Sequence, residues 1–216
     1  LDESEGKTIA IDGQPAVAGR FISHGEQQKL HELISQEKPK VAVEIGLANG
    51  YSTLSLLQGL SDKKCGTLIS IDPFQLVDFR GAALMNIRRA GLDGFHFWWG
   101  KSSLIALPAL LESESKIDFA FVDGNHLFDY TLIEFAYLDK LLRKNGLLVF
   151  HDYNYPSVRA CLNYIEKNYA YTVEGREGSL RILRKREDDQ RPWYFFKPFD
   201  VPQIEWTTLE GRGFCE

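Results

Sequence analysis

The chain has 216 residues and a formal net charge of -5, with 44% hydrophobic and 25% charged residues. That length fits one domain and a sizeable core, so neither disulfides nor a structural metal is required for folding. The negative balance argues against nonspecific binding to nucleic acid or to anionic membranes, and Cys65, Cys161 and Cys215 are too widely spaced for a zinc or disulfide framework.

A reducing compartment, the cytoplasm, is therefore expected. The longest apolar runs are strand-sized, far short of the roughly 20 residues that span a bilayer. No signal peptide is visible, although a start at Leu1 rather than Met leaves room for an upstream piece or a removed targeting segment.

In chain order, residues 8–22 carry no clear period, and 24–36 read as a helix. Short, nearly continuous apolar runs at 41–45, 67–71, 95–99, 117–122 and 146–151 read as strands buried on both faces. Helical patterns lie between them at 51–60, 77–90, 102–111 and 127–144. The last has Phe128, Leu132, Phe135, Leu138 and Leu142 on one stripe, and Asn145-Gly146 as its stop. A helix over 156–168 follows, opened by Pro156. Runs at 170–173 and 179–183 then look like an antiparallel pair. Strand–helix alternation of this kind predicts an open, mostly parallel sheet with helices on both faces. Three segments result: 1–23, a domain over 24–184, and an aromatic-rich tail over 185–216.

Parallel sheets bind ligands beyond the carboxyl ends of their strands. The first strand leaves through "VEIGLANGYSTL", residues 43–54, where a carboxylate, two glycines and a helix start follow one another. Glycine lets a ligand approach the backbone, and the helix start offers free N–H groups. A dinucleotide would need G-x-G-x-x-G, but Ala48 and Tyr51 occupy the second and third glycine positions. S-adenosylmethionine (SAM) carries a sulfonium and an ammonium, which suit the carboxylate of Glu44. Asp72 ends the next strand about 20 residues later, where an acid can accept hydrogen bonds from both ribose hydroxyls.

These motifs resemble the class I SAM-dependent methyltransferases, and among them the small-molecule O-methyltransferase-like group known as methyltransferase family 24. "VEIGLANGYSTL" is similar to its E-x-G-x-x-x-G-x-S motif, and "SIDPF" to its ribose motif. "WWGKSSLIALPAL" resembles the stretch whose G-x-S contacts adenine. "IDFAFVDGNHLFDY" resembles D-x-x-x-x-D-G-x-H-x-Y, with Phe128 at the tyrosine position. "LLRKNGLLVFHDYNYP" resembles L-x-x-G-G-x-x-x-x-H-D, with Asn145 at the first glycine. The resemblance runs from about residue 24 to about residue 184. It implies a Rossmann-like sheet of seven strands in the order 3-2-1-4-5-7-6, the last antiparallel. It also implies a SAM site made by Glu44, Gly46, Ala48, Asn49, Gly50, Ser52, Asp72, Gly100, Lys101, Ser102 and Asp123.

In that strand order Asp123 and the His151-Asp152 pair sit on adjacent strand tips, about 5 Å apart. Two neighbouring carboxylates are tolerated through a shared proton, ordered water or a divalent cation. Metal-using relatives hold Mg²⁺ with acids at these positions. Here His151 replaces one acid, so Asp123, Asp152 and His151 point to Mg²⁺ or to a softer divalent cation that accepts imidazole. His126 is the expected general base, because an unperturbed imidazole titrates near working pH. His151 is an alternative base or a positioning group, and His126, His151 and Asp152 form the candidate catalytic set.

Tyr153, Asn154 and Tyr155 are placed to line an acceptor site. Trp98 and Trp99 are expected in the core rather than beside adenine, and His24, His31 and His96 at the surface or in the core. Trp193, Tyr194, Phe195, Phe196, Phe199 and Trp206 are too many rings to leave in water. They predict a tail that covers its own domain, forms a lid, or meets a second copy in a homo-oligomer.

The expected activity is methyl transfer from SAM to a hydroxyl of a small molecule such as a sugar or a natural-product intermediate. Competing readings are a dinucleotide oxidoreductase, a nucleic-acid methyltransferase and a SAM-fold binding protein without turnover. The second of these would need the paired prolines that "DYNYP" lacks.

Overall fold

The computed structural model describes residues 7–17 and 22–203. Trp206, Cys215 and the outer parts of segments 1–23 and 185–216 lie outside the described residues. The first strands, β1 (Lys7–Ile9) and β2 (Pro15–Val17), form a two-stranded antiparallel sheet within the stretch that showed no period. Helix α1 (His24–Glu37) leads into β3 (Val41–Ile45), then α2 (Tyr51–Lys63), β4 (Thr67–Ile71), α3 (Ala82–Arg89) and β5 (His96–Trp99). The second half runs α4 (Ser103–Glu112), β6 (Ile117–Val122), α5 (Phe128–Leu141), β7 (Leu142–Phe150), α6 (Pro156–Asn168), β8 (Tyr171–Glu177) and β9 (Leu180–Lys185).

The main sheet has seven strands in the order β5-β4-β3-β6-β7-β9-β8. Counted from β3, this is 3-2-1-4-5-7-6, as expected. The pairings from β5 through β7 are parallel, while β9 runs antiparallel to both β7 and β8. Strand alternation explains the continuous apolar runs. In β3, Ala42 faces a core built with Leu30 of α1, Leu56 of α2 and Ile87 of α3, while Val43 faces another built with Leu107 of α4, Phe135 of α5 and Ile165 of α6. Among the described residues no helix is long and apolar enough to cross a membrane.

Several boundaries differ from the sequence expectation, and two of the differences have a cause visible in the side chains. The helix expected over 77–90 begins only at Ala82. Residues before it form turns in which the Phe74 carbonyl accepts from Val77 and Asp78, and Gly81 closes the turn at φ +72°. The loop is pinned from inside by Gln75, whose buried Nε2 donates to the Ala48 carbonyl (2.7 Å) and to Asp72 Oδ2 (3.2 Å).

The helix expected over 127–144 ends at Leu141. Lys185, though charged, is buried there, and its Nζ donates to the carbonyls of Asp139 (2.5 Å) and Leu142 (2.9 Å). A cation on orphan C-terminal carbonyls stops a helix as firmly as a glycine does. Arg143, Lys144 and Asn145 then bulge out of β7, with Asn145 at φ +66°, before Leu147 pairs with Phe119.

The described part of the tail lies along α6. Asn168 of α6 exchanges hydrogen bonds with the backbone of Lys197, and Tyr164 packs against Phe196 and Phe199. Trp193 is 95% exposed.

Candidate active site

The sheet order reverses between β3 and β6, and a cavity of about 990 Å³ opens beyond their carboxyl ends. Its floor is the loop from β3 to α2. Gly46 (φ +87°) passes so close to β6 that a Cβ there would lie 2.0 Å from the Asp123 carbonyl oxygen. Ala48 is also left-handed, at φ +45°, which costs a residue with a Cβ roughly 1–2 kcal/mol.

Asp72 offsets that cost. Its Oδ2 accepts from Leu47 N (3.0 Å) and Ala48 N (3.2 Å), and its Oδ1 from Phe74 N (2.7 Å). Trp98 Nε1 donates to the Asp72 carbonyl, so that ring braces the strand end and lies outside the cavity wall. Gly46, Ala48, Asn49, Asp72, Ser102 and Asp123, all named from the sequence, line the cavity.

Glu44 does not. Alternation along β3 turns its side chain away from the cavity and under the loop, fully buried, where Ser52 Oγ (2.7 Å) and Ser70 Oγ (2.8 Å) donate to its two oxygens. Burial pushes its carboxyl up to about 7. The expectation that Glu44 meets the donor's cations is therefore corrected: it ties the first turn of α2 to β4. Ser52 is committed to the same bond. Gly50, which starts α2, Gly100 beside the Trp98 ring, and exposed Lys101 likewise stand outside the wall.

At the far end of the cavity Asp123, His126, His151 and Asp152 come together. His126 Nε2 lies 2.8 Å from Asp152 Oδ2 and 3.4 Å from Asp123 Oδ1, and His151 Nδ1 lies 3.4 Å and 3.2 Å from the same two atoms. Each imidazole bridges both carboxylates. Burial opposes charge on His126, yet hydrogen bonds to Asp123 and Asp152 outweigh it and hold the ring up to about 9. The same balance holds His151 up to about 10. Both acids lie below the usual carboxylate range, because bonds from the two histidines outweigh burial. The carboxylates are thus reconciled by two imidazolium rings rather than by a shared proton. The same bonds favour the imidazolium form of His126, where the sequence reading placed a neutral base. Asp152 is held in left-handed backbone at φ +54°, strain of a kind that concentrates at functional sites.

Asp123, His126 and Asp152 each offer a ligand atom, all within 4.8 Å of one another. Among the described residues the group that could hold a metal ion includes His126, and His151, which the sequence reading placed with the two acids, is not part of it. His151 turns its other nitrogen toward Glu26 Oε1, 3.6 Å away. Tyr155 lines the cavity and packs against His126, whereas Tyr153 lies under Arg176 and Arg181, and Asn154 is exposed. His31 pairs with Asp62, and His96, held down to about 4 by burial, sits against Ser70.

Three positions escaped the sequence reading. Glu26 completes a capping box with Ser23 and accepts from Ser179 N and Oγ, both at 2.6 Å, thereby joining α1 and the β8–β9 turn to His151. The S-x-x-E spacing of Ser23 and Glu26 was a legible signal for the cap. Gln75 and Glu134 carry no such signature.

A family model described as a methyltransferase domain matches residues 43–153. An O-methyltransferase from Bacillus cereus in complex with SAH (S-adenosylhomocysteine) superposes with a TM-score of 0.65 at 19% identity, covering 78% of this chain and 84% of that one. The O-methyltransferase TomG from Streptomyces achromogenes, involved in tomaymycin synthesis and in complex with SAM, gives 0.64 at 21% identity over 77% and 82%. An uncharacterised protein of Acanthamoeba polyphaga mimivirus is 30% identical over 124 residues, 51% of this chain and 50% of that relative, so the match spans about half of its length. The chain belongs to methyltransferase family 24 and has the fold of the class I methyltransferases.

Proposed function

We propose that the domain methylates a hydroxyl oxygen of a small molecule, a sugar or a natural-product-like compound, with SAM as donor. One observation carries the reading: two acids and two imidazoles converge at one end of a cavity of about 990 Å³ whose other end holds Asp72. The Bacillus cereus and Streptomyces achromogenes structures support it, being O-methyltransferases that hold SAH and SAM.

The chemistry asks mainly for alignment. As the oxygen–carbon bond forms, the carbon–sulfur bond breaks, the sulfur leaves as a neutral thioether, and the hydroxyl gives up one proton. Holding oxygen, methyl carbon and sulfur in line supplies several kcal/mol of barrier reduction. Ionised Asp123 and Asp152 are placed to accept the hydroxyl's hydrogen bond, and the proton passes to solvent as the ether forms. His126 and His151 orient those carboxylates, and Tyr130 and Tyr155 offer rings against which the acceptor packs.

The residues fit a divalent cation. Two carboxylate oxygens and one imidazole nitrogen within 4.8 Å, the nitrogen once His126 has given up its proton, suit an ion such as Mn²⁺ that takes a nitrogen beside carboxylates better than Mg²⁺, which prefers oxygen alone. Asp123, His126 and Asp152 would hold it, and when bound it would supply Lewis acidity to the acceptor oxygen.

Incubation with methyl-labelled SAM and a panel of sugars, phenols and catechols, followed by mass spectrometry, tests the reading. The expected result is an O-methyl product together with SAH, suppressed by a chelator and restored by Mn²⁺. Label that passes only to nitrogen or carbon acceptors overturns the hydroxyl assignment, and a rate indifferent to chelator overturns the metal.

A further inference from the structure

Between the start of α4 and the middle of α5 the cavity wall includes a carboxylate that the fold does not satisfy. Glu134 is 1% exposed, and its Oε1 accepts from Ser103 Oγ at 2.7 Å, but its Oε2 is buried without a hydrogen-bond partner. A buried acceptor left unpaired is destabilising, more so when it is charged, so this oxygen calls for a partner from outside the chain.

The surroundings say what kind. Glu134 lines the same cavity as Asp72, with apolar Ile71, Pro73 and Phe74 and the small side chains of Ser102 and Ser103 alongside. Gly124 faces it closely: a Cβ there would lie 3.2 Å and 3.5 Å from the two carboxylate oxygens, narrowing a slot that the glycine leaves flat. A planar, mostly apolar group with one hydrogen-bond donor on its edge suits such a slot. With a ribose on Asp72, the base of the same nucleoside is the group that reaches it.

We propose that Glu134 recognises the exocyclic amine of adenine, with Oε2 accepting one of its N–H bonds. The proposal rests on the assignment of SAM to this cavity and deepens it by naming the residue that selects adenosine over other nucleosides. Burial pushes the Glu134 carboxyl up to about 7. The bond to Ser103 fixes the carboxyl plane, so the free oxygen keeps one direction.

A site built to accept from an amine rejects an analogue that lacks it, since the buried acceptor is then left unpaired. Calorimetry on the intact protein with SAH and with S-inosylhomocysteine, whose base carries an oxygen in place of the amine, provides the test. Wild-type protein is expected to bind SAH at least about tenfold more tightly, and a smaller ratio overturns the proposal without any variant. In Glu134→Gln the amide can turn to serve either base, so the two affinities are expected to converge to within about threefold. If Glu134 merely clamps Ser103, both affinities fall together and the ratio persists, which also overturns it. A wild-type protein that binds neither ligand fails at a different point, the SAM assignment itself.

Discussion

Asp72, at the nucleoside end of the cavity, is held by the N–H groups of Leu47, Ala48 and Phe74 and by the Gln75 amide, whereas Asp123 and Asp152 at the other end are held by imidazole rings. Backbone donors are fixed by the fold and do not change charge. Imidazoles have rotamers, tautomers and protons that a ligand or cation can rearrange. Under the proposed function, the end at Asp72 is preorganised for one invariant donor, and the end at Asp123 and Asp152 is set by charge balance and can re-form around an acceptor.

The largest effect expected from this contrast is at the acceptor end. Asp152→Asn removes one of the two charges that the imidazoles share and should lower kcat by roughly 10³-fold, while calorimetric affinity for SAH stays within about threefold. Equal losses in both would mean that the two ends are not separable.

Next comes Glu44, beneath the donor end. A buried carboxyl raised to about 7 keeps its proton in the folded state while the unfolded chain ionises near 4.5. Below about 4.5 both states are protonated and the group is neutral in its effect. Stability then falls as pH rises from about 4.5 to 7, and levels off above. Urea denaturation should show Glu44→Gln gaining about 3 kcal/mol on wild type between pH 4 and pH 8. A constant difference would show that the two serines hold the carboxylate ionised throughout.

Asp72→Ala should weaken SAM binding by roughly 30-fold through the loss of a charge-assisted hydrogen bond worth about 2 kcal/mol. It should also lower Tm, since three backbone N–H groups lose their acceptor. The smallest effect is expected from Ala48→Gly, which relieves a left-handed alanine and should stabilise the fold by about 0.5–1 kcal/mol in thermal melts with SAH affinity little changed.

The residues differed in how much of this they disclosed in the sequence. Strands β3, β4 and β6 were legible at their observed bounds because a strand buried on both faces has a continuous apolar signature, and Asp72 followed from its place at a strand end. The side toward which Glu44 points was not legible, because "VEIG" does not show whether the last polar residue of a buried strand faces the crevice or the helix layer. The helix stop at Leu141 was hidden because its cap, Lys185, lies 44 residues later and reads as the first residue of the tail. Asp123, His126, His151 and Asp152 were each visible, but their proton affinities depend on distances of 2.8–3.4 Å that only the folded sheet creates. Glu134 was invisible for the opposite reason: on an amphipathic helix, one acid looks like any solvated charge.

Glu26 ties the last hairpin to the candidate site. Because the turn at Ser179 and the imidazole at position 151 converge on one carboxylate, the β8–β9 loop is not free to drift in length or sequence as surface loops usually are. A chimera that borrowed this hairpin from another family member would have to import its matching α1 entrance as well. The two chain segments, 153 residues apart, are a single exchangeable module.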